Sequence, residues 1–471
     1  MRVYFIGICG TAMATLAAML KERGYAVWGA DQHVYPPMSD FLSARGIACH
    51  DGFDAAHITS DIDLVVIGNA VSRGNSEVEA VLSERLKYRS LPEMVRETFL
   101  WGRHNIVIAG THGKTTTAAL VSWVLADGGH DPSFLIGGLT GNFDSSYRLG
   151  SGREFVIEGD EYDSAFFDKT AKFLKYLPGM VVVGNLEFDH ADIYVDLDAI
   201  RLAVQRLVSL LPQRGQLLLG ADSTEALALS ERAPCGVTTF GLAQEADWRA
   251  ANVEFGSLGV QFVVQHRGES VVEIRAPLVG DFNVRNILAA FAVAAGIGLD
   301  YDEISSAIGR FKGVKRRLEV RGRVRGVTVY DDFAHHPTAV RETLLGVRAA
   351  FPSSRIWALF EPRSASACRR IFQEDFIGAF GAADEVVIGQ VYRSSLPSCE
   401  RLDERLLVAG LRESGLRARH IPDVLDIVRT IVDEAREGDL VVVMSNGAFG
   451  GIHNRLLVAL APGLATDATR H

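Results

Sequence analysis

Residues Asn105–Thr117 read NIVIAGTHGKTTT, and no other stretch restricts the fold so tightly. A β-branched apolar run meets a glycine turn, and a Lys-Thr start opens the helical pattern that continues as AALVSWVLA. Strand, glycine turn and helix in that order belong to parallel α/β sheets, where the turn's N–H groups and the helix dipole form an anion cradle. The usual phosphate loop is G-x-x-x-x-G-K-S/T. Here only Thr111 and His112 separate Gly110 from Gly113, so the loop is a shortened one. In such a turn the N–H groups of Gly113 to Thr116 face an anion, and Lys114 adds a point charge for outer phosphates. The Thr115 hydroxyl is placed to join Mg²⁺.

A second glycine turn, GICGTAM, lies near the N-terminus. It follows the strand pattern RVYFI and precedes an Ala/Leu/Met-rich helix, so the uncharged residues 3–20 read as strand, turn and helix rather than as a leader segment. A dinucleotide fingerprint needs G-x-G-x-x-G, and the middle glycine is replaced here by Cys9. Asp31, just past the next strand, is placed for a ribose or base contact. One chain with two such turns is expected to bind two nucleotides.

Strand–helix alternation restarts three times, which divides the chain into 1–104, 105–315 and 316–471. The first part carries strands RVYFIGI, YAVWGAD and DLVVIGNAV, and a helix from Asn75. The second continues after the loop with EFVIEGDE, GMVVVGNLEF and the periodic helix IRLAVQRLVSLL. Between 235 and 279 short alternating strands predict a small antiparallel insert, followed by the helix NVRNILAAFAVAAG. The basic stretch KGVKRRLEVRGRVRG separates the third part, with strands VTVYDDF, RIWALFEP, EVVIG and LVVVMSNGAFGG. Continuous apolar strands between helices imply mostly parallel sheets covered on both faces, with ligands beyond the C-terminal strand ends.

Acidic and imidazole groups gather at those ends. EGDEYD contributes Glu158 and NLEFDH contributes His190, and a hard cation beside phosphates takes oxygen ligands with room for a histidine. Asp331, Asp332, His335 and His336 in VYDDFAHHP fit either a ligand set or a helix-entry turn. Arg316 and Arg317 fit either a solvated basic face or a phosphate contact. A net charge of −10 argues against a nucleic-acid or anionic-membrane surface, so any anionic ligand must be held locally. The five scattered cysteines, with no C-x-x-C pair, suit reduced cytoplasmic thiols rather than a disulfide or zinc framework.

Taken in order, GICGTAM, AGTHGKTTT, EGDEYD, NLEFDH, GDFNVRN, KRRLE and YDDFAHHPT resemble the Mur ligases, ATP-dependent amide-forming enzymes of bacterial cell-wall synthesis, along essentially the whole chain. The resemblance implies an α/β fold of three domains. These are a Rossmann-like UDP-binding domain, a central P-loop-type ATPase domain with a small β insert, and a Rossmann-like C-terminal domain. It further implies that Gly110, Thr111, His112, Gly113, Lys114, Thr115 and Thr116 bind ATP, with Asn283, Asn286, Arg317 and Asp332. Thr115, Glu158 and His190 are implied Mg²⁺ ligands, and Lys114, Glu158, His190 and Arg317 the catalytic set. Cys9, Gly10, Thr11, Asp31, Asn69 and Ser72 fall on the UDP side, and Arg363, His335 and His336 on the peptide side.

DQHVYPPMSDFL, GNAVSRGN, EYDSAFFDK and MSNGAFGGIH are similar to the recycling branch of that family. That branch joins UDP-N-acetylmuramate to the murein tripeptide L-alanyl-γ-D-glutamyl-meso-diaminopimelate. The alternative is the sister branch that adds L-alanine alone. Two departures stand out: position 282 is Phe where sisters often carry His, and residues 201–214 hold no lysine of the kind some branches carboxylate. The implied enzyme is cytoplasmic, a monomer or weak homo-oligomer, with no nucleic-acid or membrane partner. A nicotinamide oxidoreductase would leave the Lys114 loop idle, and a regulatory ATPase would leave the N-terminal turn unexplained.

Overall fold

The computed structural model describes residues 1–392 and 396–461. Two compact units result: Met1–Leu186 with Asp198–Trp248 and Ala289–Ala307, and Glu187–Leu197 with Arg249–Leu288 and the residues from Ile308 onward.

The first unit holds two sheets. Five parallel strands lie in the order Ala48–Asp51, Ala26–Asp31, Arg2–Ile6, Leu64–Ile67, Tyr88–Ser90. The chain reverses direction across the sheet between Arg2–Ile6 and Leu64–Ile67, the switch point where doubly wound folds bind ligands. Both strands are buried, because VYFI and LVVI present apolar groups on either face. Helix Ser76–Ser83 starts where Asn75 accepts from the N–H groups of Glu77 and Val78. The edge strands Ala48–Asp51 and Tyr88–Ser90 escape a reading by hydrophobicity, being short and largely unburied.

The other sheet of this unit runs Gly236–Gly241, Gln216–Gly220, Pro178–Val183, His104–Ala109, Glu154–Glu158, Ser133–Thr140, Ser145–Arg148. All its pairings are parallel except the last. Gly236–Gly241 corrects only the first strand of the expected antiparallel insert, because it pairs in parallel with Gln216–Gly220. Alternation of side chains does not reveal strand direction. Helix Lys114–Asp127 is buried around most of its circumference, as its Ala, Val and Leu content requires.

In the second unit Gly259–His266 and Glu269–Ala276 form an antiparallel hairpin. The main sheet runs Glu319–Val324, Val327–Asp332, Leu440–Met444, Ile356–Phe360, Glu385–Ile388, Arg417–His420. Only the first pairing is antiparallel. Part of the basic stretch expected to act as a joint is therefore an edge strand, with Arg321 and Arg323 exposed along it. Ala358, Phe360, Val442 and Met444 enter one core, while Trp357, Leu359, Val441 and Val443 enter the other. Asp332, Met444 and Phe360 are in register, so the segments that follow them leave the sheet side by side. Among the described residues no helix is long and apolar enough to cross a membrane.

Candidate active site

In the first unit, strands His104–Ala109, Glu154–Glu158 and Pro178–Val183 are neighbours, and the short loop, Glu158 and Asn185 lie at or just beyond their C-terminal ends. Gly110 has φ +114°, and a Cβ there would lie 2.9 Å from the Asn185 carbonyl oxygen, so no larger residue fits. Asn185 pins the turn: its carbonyl accepts from the Thr111 N–H at 3.0 Å, and its side-chain oxygen from the His112 N–H at 2.9 Å. Gly113, at φ +85°, turns the chain into the helix that Lys114 begins. Thr115 and Thr116 sit buried in that first turn.

Lys114 folds back over the loop. Its Nζ donates to the Gly110 carbonyl at 2.7 Å, the Thr111 carbonyl at 3.2 Å and Glu161 Oε1 at 2.9 Å. Burial alone would lower the lysine pKa, but Glu161, Asp160 and Glu158 outweigh it and raise it, so the ammonium stays charged. Glu161 thus joins the surroundings of the loop lysine, and nothing in EGDEYD by itself singles it out from its acidic neighbours. Thr115 Oγ1 donates to Glu158 Oε2 at 3.2 Å, and Glu158 Oε1 accepts from the Gly137 N–H at 2.6 Å. A hydroxyl and a carboxylate side by side are hard oxygen donors, and they fit Mg²⁺.

The N-terminal turn is built on Asp31. Its Oδ2 accepts from the Cys9 N–H and its Oδ1 from the Gln32 N–H, each at 2.8 Å. The carboxylate therefore holds the turn, a role that spacing alone did not show. Gly10 precedes helix Thr11–Glu22, and Asn69 and Ser72 follow the neighbouring strand, one half-buried and the other exposed. Cys9 Sγ lies 3.6 Å from Cys49 Sγ, and burial raises both thiols, Cys49 to about 12.

In the second unit His190 takes a left-handed φ of 54° beside buried Asp189. Its N–H donates to Asp189 Oδ1 at 2.6 Å and to Ser366 Oγ at 3.1 Å. Burial would raise the Asp189 carboxyl, yet His190, His335, His336 and the Ser366 hydroxyl hold it well below the usual carboxylate range. His336 is buried and caps helix Pro337–Ala350, its Nδ1 accepting from the Thr338 N–H at 3.3 Å. Its Nε2 lies 3.1 Å from the Phe188 carbonyl, which fixes the proton on Nε2. The helix-entry turn is thus present at this histidine. His335 Nδ1 is 2.8 Å from the Phe333 carbonyl.

Asp332 is also buried. It accepts from the Leu318 N–H at 2.7 Å and the Ala334 N–H at 2.8 Å, and burial raises its pKa despite those bonds and the charge of Arg317. The guanidinium of Arg317 stands 5.1 Å over the Phe333 ring. Asn283 and Asn286 share one face at the start of helix Asp281–Ile297, with Asn286 Nδ2 donating to Asn283 Oδ1 at 3.2 Å. At the neighbouring strand ends Arg363 lies over Tyr392, and Arg316 donates to the carbonyls of Ser445 and Gly447 at 2.7 Å each.

Three family models match the chain in order. They are the Mur ligase family catalytic domain over residues 2–100, the Mur ligase middle domain over 108–294 and the Mur ligase glutamate ligase domain over 316–447. The UDP-N-acetylmuramate–L-alanyl-γ-D-glutamyl-meso-2,6-diaminoheptandioate ligase of Escherichia coli K12 is 41% identical over 463 residues, 98% of each chain. The UDP-N-acetylmuramate–L-alanine ligase of Desulfotalea psychrophila is 31% identical over 94% of this chain and 95% of that one. A solved murein peptide ligase from Psychrobacter arcticus superposes with a TM-score of 0.73 at 34% identity, covering 99% of this chain and 100% of that one.

Proposed function

The chain belongs to the Mur ligase family, and from that premise we infer that it joins UDP-N-acetylmuramate to the tripeptide L-alanyl-γ-D-glutamyl-meso-diaminopimelate, driven by ATP. One observation carries the reading: identity of 41% to a tripeptide ligase over 98% of both chains, against 31% to an L-alanine ligase of comparable coverage. The three-domain α/β architecture of the family accompanies it. We place the domain limits at 1–104, 105–315 and 316–471, and read the enzyme as a cytoplasmic monomer or weak homo-oligomer serving cell-wall recycling.

A carboxylate does not condense with an amine in water, because oxide is a poor leaving group. Phosphorylation of the muramyl carboxylate by ATP gives an acyl phosphate, which the tripeptide's α-amine attacks with loss of phosphate. The chain's own task is to position the reactants and balance charge. Lys114 serves the outer phosphates, and the N–H groups of the loop up to Thr116 cradle them. Asn283, Asn286, Arg317 and Asp332 keep the ATP contacts that their motifs imply. Thr115 and Glu158 would hold Mg²⁺, and His190 keeps the ligand role of its motif. Such an ion supplies charge neutralisation at the transferring phosphoryl group. Cys9, Gly10, Thr11, Asp31, Asn69 and Ser72 form the proposed UDP side, and Arg363, His335 and His336 the proposed peptide side.

The test is phosphate release with UDP-N-acetylmuramate and ATP, comparing tripeptide with free L-alanine. Turnover is expected with the tripeptide and only background release with L-alanine. Equal use of L-alanine would move the chain to the sister branch.

A further inference from the structure

Gly447 lies just past strand Leu440–Met444, close against a side chain from the neighbouring strand end. A Cβ on Gly447 would lie 2.0 Å from Arg363 Nε, 2.2 Å from its Cδ and 2.5 Å from its Cζ. The Gly447 backbone has no freedom to relieve such a clash. Its carbonyl accepts from Arg316 at 2.7 Å, and its N–H donates to Ser445 Oγ at 2.9 Å. Ser445 is anchored in turn by donating to buried Glu361. Arg363 would have to move.

On its other face, Arg363 meets an aromatic ring. The guanidinium carbon stands 3.6 Å from the Tyr392 ring centroid, within stacking contact. The Tyr392 N–H donates to the Pro362 carbonyl at 3.0 Å, which ties this wall to the residue preceding Arg363. The guanidinium is thus held flat between backbone and ring, with only its edge turned toward charged groups. Its carboxylate neighbour, Glu361, lies 3.6 Å from one terminal nitrogen, an ion pair that stops short of a hydrogen bond. Among the described residues the Arg363 side chain makes no hydrogen bond, although only 28% of it is exposed. A half-buried fork of N–H donors fixed in one plane matches a carboxylate, which it can bind through two parallel bonds.

We propose that Gly447 and Tyr392 are positioning residues that clamp Arg363 for a carboxylate of the incoming peptide, remote from the reacting amine. The proposal rests on the tripeptide reading above and adds the device that selects that peptide. Free L-alanine has no second carboxylate to meet the fork.

The experiment measures KM for tripeptide, ATP and UDP-N-acetylmuramate in the full-length enzyme. Arg363→Ala, Gly447→Ala and Tyr392→Ala should each raise the tripeptide KM roughly tenfold or more, the loss of a charge-assisted bond. KM for the two nucleotides should stay within twofold or so of wild type, since the clamp touches neither. Adding Gly447→Ala to Arg363→Ala should cost nothing further, because the glycine acts only through the arginine. Wild type should prefer the acid over a carboxamide analogue of the tripeptide, and Arg363→Ala and Gly447→Ala should lose that preference. A wild-type tripeptide KM in Gly447→Ala, or effects that multiply in the double variant, would overturn the clamp. If calorimetry shows Gly447→Ala unfolded, the Tyr392 pair decides: Tyr392→Phe should keep the low KM and Tyr392→Ala should not, and equal values overturn the clamp. Wild-type enzyme inert toward the tripeptide would instead remove the substrate reading on which the clamp depends.

Discussion

Lys114→Ala is expected to lower kcat by at least about a hundredfold, the scale for removing one preorganised electrostatic partner from a reacting group. Binding of UDP-N-acetylmuramate should stay within a few-fold of wild type. The size follows from the neighbours: Lys114 is the ammonium set among Glu158, Asp160 and Glu161, and it reaches the loop carbonyls of Gly110 and Thr111. Removing it leaves Glu161 facing the place proposed for phosphates with no counter-charge. A second substitution should therefore help, and Lys114→Ala with Glu161→Gln is expected to recover part of the ATP affinity. The N-terminal turn depends on Asp31, Cys9 and Gly7, none of which touches Lys114, so the muramyl substrate should be indifferent. Phosphate release and calorimetry with each nucleotide make the test. Loss of both ligands from a folded variant would mean that the two glycine turns do not serve separate nucleotides.

Glu158→Ala comes next in size. Its two carboxylate oxygens are committed to different groups, one to the Thr115 hydroxyl and the other to the Gly137 N–H. Alanine removes the proposed metal ligand and leaves both of those donors without this acceptor. Turnover should fall by about ten- to a hundredfold, as for other damage to a metal shell, and the Mg²⁺ concentration giving half-maximal rate should rise. Glu158→Gln should restore the contact to Gly137 without restoring metal affinity, which separates packing from ligation. Mn²⁺ titration by calorimetry reads the same loss without turnover. An unchanged Mg²⁺ requirement in Glu158→Ala would take this residue out of the metal site.

Much of the fold could be read along the chain because its signals are local. IVIAG and LVVVM are buried strands by composition, Gly110 and Gly113 mark a turn that needs positive φ, and Asn75 caps a helix within its own segment. The placement of the shortened loop, Thr115 and Glu158 at strand ends was legible for the same reason, since hydrophobicity alone identifies those strands. Short edge strands such as Ala48–Asp51 were not, since partial burial leaves no continuous apolar run. Nor was strand direction at Gly236–Gly241, which depends on the partner rather than on the strand.

Partnerships between distant residues were decided by the sheet order. Lys114 and Glu161 are far apart in sequence, yet parallel neighbours carry the segments beyond Ala109 and Glu158 to the same edge. Nothing in the local sequence singles out Gly447; the register of Leu440–Met444 against Ile356–Phe360 brings it under Arg363. His336 looked equally fit for ligand or cap, and its role as a cap shows only in its bond from the Thr338 N–H, with the ring also held at the Phe188 carbonyl. Composition and spacing determine which segments form strands, turns and helices, because those choices balance over a few residues. Which charges meet is set by how strands stack side by side, since an ion pair or a steric void depends on separation in space and carries no signal in local periodicity.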